Sequence, residues 1–146
     1  MSDFDGLYNI RPAKESDKNL ILSTFLKGLH YGSIDKECPS KTLFFGLIPA
    51  NIFFSHYKRV IEALVNSNAI VITVACLPDD EDTVLGYSIV SNDGKTLFWV
   101  FVKSRWRKHG VAKSLVPNTV DCVAHFNLLG KTLMNKIPNV TFNPFF

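Results

Sequence analysis

The stretch that decides the fold is Thr96–Leu115, TLFWVFVKSRWRKHGVAKSL. Its first seven residues, Thr96 to Val102, are β-branched, aromatic or leucine, the composition of a strand. They run directly into a loop carrying Lys103, Arg105, Arg107 and Lys108, and that loop ends at Gly110. Val111-Ala112-Lys113-Ser114-Leu115 then reads as the opening of a helix. A strand, a basic turn and a helix start together suit an anion. The first helical turn offers N–H groups without intrahelical partners and the positive end of the helix dipole. Successive turn amides add a concave nest for phosphate oxygens. Gly110 lets a ligand approach the backbone, and Ala112 keeps the next position small. The pattern Arg107-x-x-Gly110-x-Ala112 is therefore fit to hold a pyrophosphate.

The same residues resemble the acyl-CoA-binding motif of the GCN5-related N-acetyltransferases, Q/R-x-x-G-x-G/A between the fourth strand and the third helix. Val102, Trp106, Arg107, Gly110, Val111, Ala112 and Leu115 fit its common form. The resemblance implies an α/β (α+β) fold, a mixed, mostly antiparallel central sheet flanked by helices, acyl-CoA N-acyltransferase-like. It implies one such domain over residues 1–146. It also implies acetyl-CoA as co-substrate and a primary amine, on a protein or a small molecule, as acceptor. Backbone groups around Phe101 and Val102 would pair with the amides of the pantetheine arm. Arg107, Lys108, His109, Gly110, Val111, Ala112 and Lys113 would surround the pyrophosphate, and the pantetheine would lie in the splay between the fourth and fifth strands.

Composition agrees with a packed domain. The chain has 146 residues, 47% hydrophobic and 20% charged, long enough for a substantial core and too apolar for disorder. A formal charge of +3 suits an anionic cofactor as well as nucleic acid and decides nothing alone. Cys38, Cys76 and Cys122 are odd in number and form no C-x-x-C pair, so they read as reduced thiols without a disulfide framework or a zinc site. The polar, acidic start MSDFDGLYNIRPAKESD does not read as a signal peptide, and no apolar run is long enough to span a bilayer. The expected compartment is the cytoplasm, with no membrane partner.

Taken in order, Leu7–Pro12 alternates like a first or edge strand, and Ser16 or Asp17 is placed to cap a helix. Ile21, Leu22, Phe25 and Leu29 make an apolar stripe on that helix. "IRPAKESDKNLI" is similar to the same family's opening, where the first strand passes through R-x-A-x-x-x-D into the first helix. His30 to Leu47 is irregular, with Gly32, Pro39 and Gly46, and reads as a long loop. Either it helps form the acceptor site, as the resemblance implies, or it covers the core with Phe44 and Phe45. Pro49 opens a second helix to about Asn66, with Phe53, Tyr57, Val60, Ile61 and Leu64 on one face and His56 among the solvated positions. Ala69–Cys76 is a strand expected to be buried on both faces. Pro78–Asp82 is an acidic hairpin tip without calcium-loop spacing, and Val84–Val90 is the next strand. Ser91-Asn92-Asp93-Gly94 returns the chain antiparallel into Thr96. After the helix at Gly110, a crossover should lay a strand over Val120–Phe126 parallel to the Thr96 strand. A last helix over Leu128–Lys136 and a terminal strand over Asn139–Phe146 complete the expectation.

Two departures from the family pattern bear on chemistry. Pro117 lies seven residues after Gly110 and should cut the third helix short. Asn127-x-x-Gly130-x-x-Leu133-Met134-x-Lys136 resembles the family's N-x-x-A-x-x-L-Y-x-K, with Met134 in the place of a proton-donating tyrosine. Attack on a thioester needs a neutral amine. For a lysine, whose pKa is about 10.4, neutrality near pH 7 costs roughly 4 kcal/mol; for a protein N-terminus it costs about 1. Candidate bases are Asp35, Glu37, His30 and His125, with His109 placed rather beside the phosphates. No catalytic residue is assigned. A non-catalytic CoA-binding or protein-interaction module is the alternative. KSRWRKHG, with its interleaved Trp106, also admits a nucleic-acid module, against which the single local basic run argues.

Overall fold

The computed structural model describes residues 7–31, 44–107, 110–124 and 141–142. Its centre is a mixed sheet of six strands that lie side by side in chain order. The strands are β1 (Asn9–Pro12), β2 (Ile70–Leu77), β3 (Asp80–Ser91), β4 (Thr96–Val102), β5 (Cys122–Val123) and β6 (Thr141–Phe142). β1 to β4 pair antiparallel, and β4, β5 and β6 pair parallel. Helices α1 (Lys18–Tyr31) and α2 (Ala50–Val65) cover one face, and the short α3 (Val111–Leu115) packs on the other.

Helix α1 buries Ile21, Phe25 and Leu29 of the stripe expected, together with Leu26 and His30, while Leu22, also expected inside, is only partly buried. Its entry differs from the expectation. A 3-10 turn, Glu15–Asp17, precedes it, and Lys14 rather than Ser16 or Asp17 occupies the cap position. Asp17 turns its carboxylate back, accepting the Lys14 N–H at 2.7 Å while receiving two N–H groups of Arg11 at 2.7 and 3.1 Å. Arg11 also donates to the Glu81 carbonyl, at 2.7 and 3.2 Å, and so ties β1, the start of α1 and the β2–β3 hairpin together. Asp17 is 4% exposed, and its carboxyl is held below the usual range by the Arg11 guanidinium, against the opposing effect of burial.

On α2 the buried line is Phe53, Ile61 and Val65, with Tyr57 half-buried between them. Val60, expected inside, is half exposed because it precedes Ile61 by about 100° around the helix. Phe45 packs edge-on against Phe53 and Tyr57, as a covering residue would. β2 is not buried on both faces: Val71 is 49% exposed. It shares the face of Ala75, which among the described residues is covered by the short α3 and Trp106 rather than by a long helix.

A bulge in β4 shapes the middle of the core. Ile89 pairs with Trp99 and Val90 with Leu97, which leaves Phe98 as the extra residue. Phe98 and Trp99 consequently both face α1 and α2, while Leu97 and Val100 face the other way. Trp99 stacks on Phe25 at 4.6 Å between ring centroids. Gly28 makes room for it, since a Cβ there would come within 2.7 Å of the indole. Gly86 is tighter still: an added Cβ would sit 2.5 Å from the Phe101 carbonyl oxygen, a backbone atom that cannot swing aside. Gly86→Ala is therefore expected to cost about 1–3 kcal/mol by forcing β3 from β4. Urea unfolding should show a lowered midpoint at unchanged m-value; an unchanged midpoint would contradict the tight contact.

The hairpin at Ser91–Gly94 forms as expected, with Gly94 at φ 74° and its N–H donating to Ser91 O. The crossover strand is parallel to β4, also as expected, but spans Cys122–Val123 rather than Val120–Phe126. A turn closed by Val120 N–H on Pro117 O keeps Val120 out of the ladder. His125, Phe126 and the helix expected over Leu128–Lys136 lie outside the described residues, as does most of the terminal strand beyond Thr141–Phe142.

Candidate acyl-CoA site

The geometry begins at the side of β4 that turns away from β3. Lys103 N–H donates to Leu85 O, so by antiparallel alternation the peptide groups of Phe101 and Trp99 also face β3. Those of Val100 and Val102 face the opposite edge. β5 pairs with β4 only at Thr96 and Leu97, followed by Ala124 N–H on Leu97 O. Among the described residues no strand covers the Val100–Val102 edge. The side chain of Phe101 lies against Tyr87 on the α1–α2 side, and that of Val102 on the α3 side.

Beyond Val102 the chain makes a 3-10 turn, Ser104–Trp106, and leaves it at Arg107 in extended conformation. Arg107 folds its guanidinium back, and Nε donates to Val102 O at 3.0 Å. That latch holds one carbonyl of this edge and brings a cation to the strand end. Trp106 is half-buried against Tyr8, Ala75, Leu85, Val102, Val111 and Leu115. It is packed into the fold, not displayed for base stacking, which removes the aromatic half of the nucleic-acid reading. Lys103, Arg105, Arg107 and Lys113 are exposed.

Gly110 adopts φ 81°, ψ 5°, the left-handed region that glycine enters without steric cost. It is the cap of α3, whose first amides, on Val111, Ala112 and Lys113, have no acceptor within the helix. Val111 is buried, Ala112 half-buried and Lys113 exposed. α3 ends after five residues: Val116 is extended at φ −99°, ψ 117°, as the following Pro117 demands. The short helix is tied at its far end by Ser88 of β3, whose buried hydroxyl donates to Leu115 O at 2.9 Å. Of the residues singled out in sequence, the structure thus gathers Val102, Arg107, Gly110, Val111, Ala112 and Lys113 at one corner. Lys108 and His109 lie outside the described residues. Two contributors carried no sequence signal, Val100 through its backbone and Ser88 through its hydroxyl.

The candidate bases are less well gathered. His30 is 5% exposed and contacts Ile48 O through Nε2 at 2.7 Å, with Tyr31, Phe53 and Phe54 around its ring. A carbonyl only accepts, so Nε2 carries the proton and Nδ1 is left without a partner among the described residues. Asp35, Glu37, His125 and Met134 lie outside the described residues. No group of three or more His, Cys, Asp or Glu within reach of a single metal ion occurs among the described residues. No helix among them is long and apolar enough to cross a membrane.

No protein-family model matches the sequence, and no curated protein matches it. Solved structures do resemble it. A protein of Pyrococcus furiosus described as an acetyl transferase superposes with a TM-score of 0.54 at 13% identity, covering 93% of this chain and 80% of its own. An aminoglycoside N-acetyltransferase in complex with CoA gives 0.46 at 15% identity over 93% and 76%. The PaiA N-acetyltransferase of Thermoplasma acidophilum, in complex with coenzyme A, gives 0.45 at 15% identity over 88% and 72%. The order of strands, the parallel β4–β5 step across α3 and the first of these superpositions agree: the chain is built on the fold of the GCN5-related N-acetyltransferases.

Proposed function

We propose that this protein is an N-acetyltransferase that takes the acetyl group of acetyl-CoA and passes it to a primary amine. The observation that carries this reading is the corner beyond β4, where the Arg107 guanidinium meets Val102 O and Gly110 takes the left-handed conformation that opens α3. A pantetheine arm is an extended chain with two amides, and the outward peptide groups of Val100 and Val102 are spaced to pair with it as a further strand would. The cradle residues Arg107, Lys108, His109, Gly110, Val111, Ala112 and Lys113 would take the pyrophosphate, with Phe101 lining the strand from its far face. A Cβ at the corner would obstruct both the backbone geometry and the approach of phosphate oxygens.

Acetyl-CoA supplies an activated acyl group. The protein supplies position, which alone can contribute several kcal/mol. A CoA thiol leaves readily, so Met134 in the tyrosine position is compatible with transfer that relies on alignment and on water. The test is calorimetric titration with acetyl-CoA, followed by mass spectrometry of a panel of peptide and small-molecule amines. Saturable binding and a gain of one acetyl group on an amine are expected. Saturable binding with no acetylated product across the panel would identify a non-catalytic CoA-binding protein, and absence of binding would overturn the reading altogether.

A further inference from the structure

The corner at Gly110 is held from the opposite end of the chain. Gly110 O accepts the Ser114 N–H at 3.0 Å and the Ser114 hydroxyl at 3.0 Å. With its one proton so committed, Ser114 Oγ accepts from the Tyr8 hydroxyl, 2.7 Å away and 106 residues earlier. Tyr8 is 9% exposed and mounted among Ala75, Leu85 and Val102, the side chains that fix the α3 face of the sheet. A chain of hydroxyls therefore runs from the start of the sheet's edge strand to one peptide unit. The described peptide bonds are all trans, so the C=O and N–H of the Gly110–Val111 unit point in opposite directions. Anchoring the carbonyl along α3 aims the Val111 N–H away from the body of the helix, at its Gly110 end.

We propose that Tyr8 is a positioning residue for the diphosphate of the co-substrate, acting through Ser114 on the Gly110–Val111 peptide. The proposal rests on the acetyl-CoA reading and sharpens it. A five-residue helix retains few internal hydrogen bonds and frays readily, so its first peptide needs an external anchor. Tyr8 provides one from the rigid sheet, and preorganising the amide removes an ordering cost from binding. The role belongs to the hydroxyl alone; the ring's packing is retained in phenylalanine.

The experiment compares Tyr8→Phe with wild type in calorimetry, against CoA and against S-acetylpantetheine, which lacks the diphosphate. CoA affinity should fall roughly three- to tenfold, the effect of one hydroxyl hydrogen bond, while acetylpantetheine affinity stays constant. In turnover, KM for acetyl-CoA should rise by the same factor at constant kcat. Ser114→Ala should reproduce the loss, the double variant should add nothing further, and Ser114→Thr should restore wild-type affinity. A folded Tyr8→Phe protein with wild-type CoA affinity overturns the proposal and leaves the acetyl-CoA reading standing. An equal loss for both ligands also overturns it, since Tyr8 would then matter only to the fold. A wild-type chain that binds no CoA overturns both.

Discussion

Asp17→Ala should destabilise the protein by about 3 kcal/mol, the lower end of what breaking a buried ion pair costs. The variant strips Arg11, itself only 12% exposed, of its charged partner and frees the Lys14 N–H that the same carboxylate accepted. The guanidinium retains the carbonyls of Pro12 and Glu81, which places the loss at the low rather than the high end. In a chain of 146 residues that is a fall in melting temperature of about 6–12 °C. The pH dependence follows from the direction of the Asp17 shift. Because its folded pKa lies below the unfolded value of about 3.9, its contribution is complete above that value and is lost as pH falls through the folded pKa. Acid unfolding of the wild type should steepen below about pH 4, and Asp17→Asn should remove that part of the slope. A melting temperature for Asp17→Ala within a degree of wild type would show that the Arg11 junction contributes little.

Gly110→Val should abolish most acetyl-CoA binding, with a loss on the order of 2 kcal/mol or more, a factor of at least about 30 in Kd. Two effects act together. A β-branched residue at φ 81° is a true outlier, so the backbone must leave the left-handed region and turn the Val111 N–H elsewhere. The side chain also fills the space through which a phosphate would approach. Gly110→Asn separates the two, because asparagine tolerates this conformation. If the corner's shape dominates, Asn should retain most of the affinity that Val loses. Calorimetry on both variants, with folding confirmed by circular dichroism, is the measurement. Unchanged affinity in a folded Gly110→Val protein would mean that the anion is held elsewhere.

What was legible in the sequence was whatever depends on neighbours in the chain. The β3–β4 hairpin could be read from Asn92-Asp93-Gly94, the strand–turn–helix corner from Thr96–Leu115, and the early end of α3 from Pro117. Three of the misreadings come from partners or geometry that the local sequence does not announce. Asp17 is not a cap of α1 because Arg11, six residues back and itself tied to Glu81, draws its carboxylate the other way. Val71 is not covered because coverage depends on the length of a helix forty residues later. The bulge at Phe98 left no mark in a strand whose residues are almost all apolar. In the candidate site, Gly110 and Arg107 could be named from their motif. Ser88 and Tyr8 could not, since a serine or tyrosine in a strand carries no mark of the helix it will touch.

That the strands lie in chain order has a consequence for how the molecule assembles. β2, β3 and β4 meet through two tight hairpins, at low closure entropy, whereas β1 must find β2 across about sixty residues. The three-stranded meander should therefore form first and β1 should be laid down on it late, bringing the Arg11–Asp17 junction with it. Contacts made after the folding barrier are felt in escape from the native state. Asp17→Ala should accordingly fold as fast as wild type and unfold on the order of a hundred times faster. In that sense the junction acts as a clasp: it sets how long the folded molecule lasts and leaves the speed of its formation untouched.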